Sequence, residues 1–161
     1  MTADPRRKLH VPPEWQAAAS EIFERGLRTV LVIGGSAVGK SSFCQYLTGA
    51  LLARSAEAAF IAADIGQSNI GPPATVTLGY PVSPVDFSTV APAAYYFVGS
   101  TGPIGRYWPL AIGTANLARE ARGAFVIIDT TGLVHESGRV LKKYKIEAVR
   151  PDVIVYLETA Q

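Results

Sequence analysis

The stretch TVLVIGGSAVGKS, residues 29–41, constrains this chain more than any other segment. It begins with a continuous apolar run, which is typical of a strand covered on both faces of a sheet. The residues that follow match the pattern GxxxxGK[ST] in full, with Gly34, Gly39, Lys40 and Ser41 at its fixed positions. Such a loop between strand and helix surrounds an anion with backbone N–H groups and the positive helix end. The sequence therefore predicts a phosphate-binding loop, rather than a turn that only joins two elements.

The predicted loop assigns a role to its residues. Lys40 is expected to reach the β and γ phosphates of a nucleotide, and the Ser41 hydroxyl to coordinate Mg²⁺. ATP or GTP together with Mg²⁺ is therefore the expected cofactor. Partition-type ATPases, which carry a second lysine near the start of the loop, are disfavoured because Gly35 and Ser36 stand there. The predicted nucleotide-binding residues of the loop are Gly34, Gly35, Ser36, Ala37, Val38, Gly39, Lys40, Ser41 and Ser42.

Apolar strands alternate with helices along the chain. The alternation favours an α/β fold of the P-loop NTPase type, with a mainly parallel sheet and helices on both faces. The proline-bearing stretch 72–92 is predicted to be irregular or a hairpin. One domain is expected over 13–161, after a flexible arm at 1–12. Strands are predicted at 29–35, 58–64, 95–99, 124–132 and 152–158, and helices at 13–26, 41–54, 104–123 and 139–149.

Composition excludes several classes of protein. The net charge of +2 gives no overall field for nucleic acid, and the single cysteine, Cys44, has no partner for a disulfide. His10 and His135 have no further ligand at metal spacing, so a zinc site is not expected. Without a secretory leader or a run of 18 apolar residues, the chain is expected to be cytoplasmic and to have no membrane partner. Because it stops just after an apolar run, we expect the natural protein to continue past Gln161.

Two aspartates follow predicted strands and are candidate Mg²⁺ ligands. Asp129 ends FVIID, the usual setting of a Walker B carboxylate, although an aspartate there also caps loops. Asp64 ends IAAD, and the carboxyl ends of parallel strands meet at one edge of a sheet. A carboxylate at that edge coordinates Mg²⁺ or accepts the proton of an attacking hydroxyl. The alternative for Asp64 is an Asx turn into the loop GQSNIG.

Two basic segments are candidate contacts for an acceptor. Tyr144 lies within a cluster of cations that could follow a nucleic-acid backbone, although a lysine-rich helix is more often a solvated face. Arg106 and Trp108 follow a predicted strand at the same edge as Asp64, where aromatic side chains either stack on a base or pack inward. The cations of the first segment are Arg139, Lys142, Lys143, Lys145 and Arg150.

Five segments together resemble the polynucleotide 5′-hydroxyl kinase family of RNA processing. They are GGSAVGKS, ADIGQSNIGPPATVTLGYP, YYFVGSTGPIGRYWPL, FVIIDTTGLV and IEAVRPDVIVYLE. The resemblance extends from about Val11 to the end, and its distinctive part is DxGQ with the proline-bearing loop. It implies transfer of the γ-phosphate of ATP or GTP to the 5′-hydroxyl of RNA or another polynucleotide.

The resemblance also implies roles for individual residues. Lys40, Asp64 and Gln67 would be catalytic, with Asp64 deprotonating the 5′-hydroxyl and Gln67 placing substrate or a metal-bound water. Thr130 and Gly132 would belong to the family's TxGW clasp over the nucleotide. With the strand-end aspartates described above, the expected Mg²⁺ ligands are Ser41, Asp64 and Asp129.

The sequence departs from the family pattern at three places. Ala62 replaces the first acid of DxDxGQ, and Leu133 replaces the clasp tryptophan. The family's arginine-bearing lid lies beyond the segment DVIVYLE, so weak transfer is expected from this chain.

Two other interpretations remain open. A nucleotide-dependent switch would use DTTG to sense the γ-phosphate, and a small-metabolite kinase would share the loop and the acids but enclose its acceptor. The oligomeric state is not predicted.

Overall fold

The computed structural model describes residues 11–83, 87–121 and 123–158. Most of the predicted arm at 1–12 therefore lies outside the described residues, and within these residues no helix is long and apolar enough to cross a bilayer. The helices are α1 (Pro13–Glu24), α2 (Lys40–Leu52), α3 (Tyr107–Glu120) and α4 (Ser137–Val149), with a 3₁₀ turn at Phe87–Thr89. The strands are β1 (Thr29–Gly34), β2 (Ala58–Ala63), β3 (Thr75–Gly79), β4 (Pro92–Phe97), β5 (Phe125–Thr130) and β6 (Val153–Leu157).

The six strands form one mixed sheet in the order β4-β3-β2-β5-β1-β6. β2, β5, β1 and β6 are parallel, while β3 pairs antiparallel with both β2 and β4. The carboxyl ends of the four parallel strands consequently lie at one edge, where the phosphate-binding loop follows β1. The predicted α/β fold with a mainly parallel sheet is confirmed. Within the proline-bearing stretch 72–92, Thr75–Gly79 forms β3, which pairs antiparallel with β4.

Apolar side chains alternate along the central strands and supply a core on each face of the sheet. Val30 and Val32 face α1 and α2, whereas Leu31 and Ile33 face α3 and α4. The strands are near-continuously apolar because both of their faces are covered. This double covering holds the strand ends in fixed positions, which a binding site at the sheet edge requires.

Most predicted boundaries differ from the structure by one to three residues, and two of the differences occur at glycines. The strand predicted at 95–99 spans Pro92–Phe97, since the chain turns away at Gly99, which has φ +81°. The helix predicted from 104 begins at Tyr107, because Gly105 has φ +75° and cannot start a right-handed helix in that conformation. Both shifts occur where a glycine adopts a left-handed conformation that the apolar pattern does not reveal.

Candidate active site at the carboxyl edge of the sheet

The phosphate-binding loop is built on two left-handed residues. Gly39 has φ +94° immediately before α2, and Ala37 has φ +60°, so the chain folds tightly between β1 and the helix. Lys40 opens α2 and its Nζ donates a hydrogen bond to the Gly35 carbonyl at 2.6 Å. The ammonium group is thus held over the loop, where it is available to exchange this carbonyl for a phosphate oxygen.

Gly132 packs directly on the loop. A Cβ added at this glycine would lie 2.4 Å from Ser36 Oγ, 2.8 Å from Ser36 Cα and 2.9 Å from Ser36 N. Since two of these atoms belong to the backbone, they cannot swing away as a flexible side chain would. The segment after β5 therefore approaches the loop as closely as glycine allows.

The geometry of Ser41 and Asp129 fits a magnesium site. Ser41 Oγ donates a hydrogen bond to Asp129 Oδ2 at 2.6 Å, so the two predicted ligands from separate elements are adjacent. The other carboxylate oxygen, Asp129 Oδ1, is the one buried side-chain polar atom without a hydrogen-bond partner among the described residues. Burial raises the pKa of Asp129, and the hydrogen bond from Ser41 acts in the opposite direction. An orphaned, buried carboxylate oxygen beside a hydroxyl is the hard oxygen donor set that Mg²⁺ prefers.

Lys40 and Asp64 line one cleft of about 630 Å³. Asp64 is half-buried; its Oδ1 accepts the Gly66 N–H at 3.2 Å and its carbonyl accepts the Gln67 N–H at 3.3 Å. The Asx turn considered as an alternative is therefore present, and the same carboxylate still reaches the cleft. The remaining lining residues are Ser36, Ala37, Gly39, Ser41, Ser42, Gly66, Gln67, Asn69 and Gly132.

Four predicted nucleotide-binding residues do not line this cleft. Thr130 is fully buried and its hydroxyl donates to the Val32 carbonyl at 2.8 Å, which ties β5 to β1. Gly34 lies against the neighbouring strand, because an added Cβ would approach the Leu157 carbonyl oxygen to 2.6 Å. The other two predicted nucleotide-binding residues that do not line the cleft are Gly35 and Val38.

The basic segment on α4 divides into two groups. Lys142 and Lys145 are buried, so neither offers a charge to solvent. Lys143 is exposed, and its Nζ lies 3.9 Å from Glu147 Oε1. Both the nucleic-acid contact and the solvated face are therefore wrong for the two buried lysines. Lys142 and Lys145 follow the buried Gly138 by four and seven residues, which places all three on the inner face of the helix.

The aromatic candidate next to Arg106 lies on the molecular surface. The Trp108 ring is 61% exposed and stacks on the Tyr144 ring, with centroids 4.4 Å apart and an interplanar angle of 17°. Arg106 is exposed, and neither it nor Trp108 lines the cleft. The inward packing considered for this segment applies to the half-buried Tyr107, which contacts the core beneath α3.

Comparison with known proteins identifies close counterparts of this fold and loop. Residues 34–161 match the sequence model described as mRNA cleavage and polyadenylation factor CLP1 P-loop. The polyribonucleotide 5′-hydroxyl-kinase of Pyrococcus furiosus is 39% identical over 134 residues, which is 80% of this chain and 37% of that protein. The corresponding kinase of Pyrococcus horikoshii is 38% identical over 156 residues, covering 92% of this chain and 42% of that protein.

A solved structure has a similar fold. A chain in the wild-type Clp1p–Pcf11p complex superposes with a TM-score of 0.75 at 14% identity, covering 94% of this chain and 43% of that one. At that identity the likeness concerns the fold. The chain spans about two fifths of the length of the curated archaeal relatives it matches.

Proposed function

Because the chain belongs to the CLP1 P-loop family, we propose that it is a Mg²⁺-dependent phosphotransferase moving the γ-phosphate of ATP or GTP to the 5′-hydroxyl of a polynucleotide. The observation that carries the proposal is the single cleft that contains both Lys40 and Asp64. A phosphate-binding loop alone serves many nucleotide-binding proteins. A transfer to a hydroxyl additionally requires a carboxylate in the same cleft, and Asp64 supplies one. The archaeal relatives named polyribonucleotide 5′-hydroxyl-kinases supply the acceptor class.

The nucleotide is bound through its phosphates. Backbone N–H groups of the loop and the N-terminal end of α2 face the β-phosphate, and Lys40 moves from the Gly35 carbonyl to the β and γ phosphates. Ser41, Asp129 and Asp64 would hold Mg²⁺, which when bound neutralises charge on the β and γ oxygens. Gly132 allows the segment after β5 to pack directly against Ser36 of the loop that binds the phosphates.

The chemical step is an in-line displacement at the γ-phosphorus. Asp64 accepts the proton of the 5′-hydroxyl, the acceptor oxygen forms a bond to phosphorus, and the bond between phosphorus and the β–γ bridging oxygen breaks. The electron pair of that bond leaves with the nucleoside diphosphate. Gln67, which lines the same cleft as Asp64, orients the acceptor.

The proposal is tested with γ-labelled ATP or GTP, Mg²⁺ and matched oligonucleotides that carry either a 5′-hydroxyl or a 5′-phosphate. We expect label on the 5′-hydroxyl oligonucleotide only. Asp64→Asn should lose transfer and still bind nucleotide, with a smaller enhancement of its affinity by Mg²⁺. Asp152→Asn is a matched control, because Asp152 lies at the other edge of the sheet and accepts the Thr29 N–H at 2.8 Å. Label that emerges only as free phosphate would contradict the proposal and favour the nucleotide-dependent switch.

A further inference from the structure

Two lysines lie where apolar side chains are expected, beneath the candidate active site. Lys145 has no exposed surface and Lys142 is 6% exposed, although both belong to the helix α4 whose other face carries the exposed Lys143. Lysine is almost never fully buried unless it is paired. Neither has a carboxylate partner within salt-bridge distance among the described residues. Their burial therefore needs an explanation other than a direct ion pair.

Each buried ammonium group donates to the backbone at the end of a strand. Lys145 Nζ donates to the Ala63 carbonyl at 2.9 Å, one residue before Asp64. Lys142 Nζ donates to the Thr131 carbonyl at 2.6 Å and to its hydroxyl at 2.9 Å, one residue before Gly132. One helix thus holds the ends of two neighbouring strands, β2 and β5, and the residues that follow, Asp64 and Gly132, both line the cleft.

Burying these two amines opposes folding. Burial lowers the pKa of Lys142 to about 7 and that of Lys145 to about 8, which means that the charged forms are poorly solvated. The charges of Asp64 and Asp129 act on Lys145 in the opposite direction, so both carboxylates lie close enough to interact with it. An apolar side chain of similar length would fill either position at a lower cost in stability. A position where a less stabilising residue stands is commonly one that serves the site.

We propose that Lys142 and Lys145 are positioning residues of the phosphotransferase site: Lys145 fixes the strand end that aims Asp64 into the cleft, and Lys142 fixes the segment that places Gly132 on the phosphate-binding loop. The inference rests on the proposed function for the role of Asp64. It adds α4 as the element that fixes the position of Asp64 relative to Gly132. Removal of a hydrogen-bond partner of a metal ligand lowers metal affinity or activity by about 10- to 100-fold, and because Lys145 bonds one residue before the candidate ligand Asp64, we expect an effect at the low end of that range.

The test uses nucleotide binding, so it does not depend on transfer to an acceptor. For each variant, the Kd of a fluorescent ATP or GTP analogue is measured with and without Mg²⁺, and the ratio of the two values gives the Mg²⁺ enhancement. Lys145→Met removes the ammonium group and keeps a long side chain, while Lys143→Met is the matched exposed control on the same helix. Asp64→Asn and the double variant Asp64→Asn with Lys145→Met complete a double-mutant cycle, which measures the coupling between the two residues.

We expect Lys145→Met to reduce the Mg²⁺ enhancement about tenfold and to have no further effect in the Asp64→Asn background. Lys143→Met should match the wild-type chain. An unchanged enhancement in Lys145→Met, an increase, or a full additional loss in the double variant would overturn the proposal. An increase would mean that the lysine acts only through its charge, which repels Mg²⁺. A wild-type chain with no Mg²⁺ enhancement would instead contradict the proposed function itself.

Hydrogen exchange gives a second readout that is independent of nucleotide. The Gly66 and Gln67 amides donate hydrogen bonds to Asp64. Their hydrogen exchange should therefore be faster than in the wild-type chain in Lys145→Met and unchanged in Lys143→Met. The amide of Gly132 should respond in the same way to Lys142→Met. Unchanged exchange in both buried-lysine variants, or failure of both to fold, would assign these lysines to stability alone and overturn the proposal.

Discussion

Replacing Gly132 with alanine tests how closely the segment after β5 approaches the phosphate-binding loop. The added methyl group would lie 2.4–2.9 Å from three atoms of Ser36, two of them in the backbone. The φ of Gly132 is not in the left-handed region, so alanine tolerates the local conformation. The effect of Gly132→Ala is therefore steric, and it acts on the contact between this segment and the loop.

The expected magnitude combines two opposing terms. Forcing an extra methyl group into a packed contact costs about 1–3 kcal/mol. Alanine also restricts the unfolded chain, which stabilises the folded state by about 0.4–1 kcal/mol. Taking the midpoints of these ranges, the net result is a loss of about 1.3 kcal/mol in the free energy of unfolding, or a decrease in Tm of about 3–5 °C for a chain of this size. If about 1 kcal/mol of that strain displaces the loop, the nucleotide Kd rises about fivefold.

Thermal denaturation and nucleotide titration measure these two effects. Gly102→Ala is the matched control, because its added Cβ would meet only Ser100 Oγ at 3.9 Å and its φ is not left-handed. We expect this control to be as stable as the wild-type chain or slightly more stable. A Gly132→Ala chain with wild-type Tm and wild-type nucleotide affinity would refute the close contact between Gly132 and Ser36.

Two further predictions concern buried titratable groups. Because burial lowers the folded-state pKa of Lys142 to about 7, the unfolded chain binds more protons above that pH, and the free energy of unfolding should rise between about pH 7 and 9. Measured by urea denaturation, Lys142→Met should reduce the slope of the free energy of unfolding against pH by at most about 1.4 kcal/mol per pH unit. Equal slopes in Lys143→Met and Lys142→Met would contradict the lowered pKa of Lys142. Cys44 is fully buried and its pKa is raised well above the usual value by burial, so the folded chain should not react with a thiol reagent that labels it readily in urea. Rapid labelling of Cys44 in the folded chain would show that the core around α2 opens.

The phosphate-binding loop could be predicted from sequence because its information is local. The strand, the glycines, Lys40 and Ser41 are contiguous, and each has a physical requirement that few other residues meet. Asp64 could be assigned to the same edge from topology, since parallel strands end together. The structure places Asp64 and Lys40 in one cleft, as that reasoning required.

The role proposed for the α4 lysines could not be inferred from the sequence in this way. A lysine-rich helix usually marks a solvated face, and the burial of Lys142 and Lys145 depends on strand ends that are distant in sequence: Ala63 is 82 residues away from Lys145. Thr130 shows the same limitation, because its hydroxyl bonds to Val32, which is 98 residues earlier in the chain. Local patterns specify which face of an element is polar, but they do not specify which backbone carbonyl a buried polar group will meet.

The most direct test of this account is a structure of the chain with Mg²⁺ and a non-hydrolysable ATP or GTP analogue. The account predicts that Lys40 leaves the Gly35 carbonyl for the terminal phosphate, and that this phosphate faces the Asp64 carboxylate across a gap that accommodates one hydroxyl group. A terminal phosphate turned away from Asp64, or a nucleotide bound outside the cleft that Lys40 and Asp64 share, would contradict it.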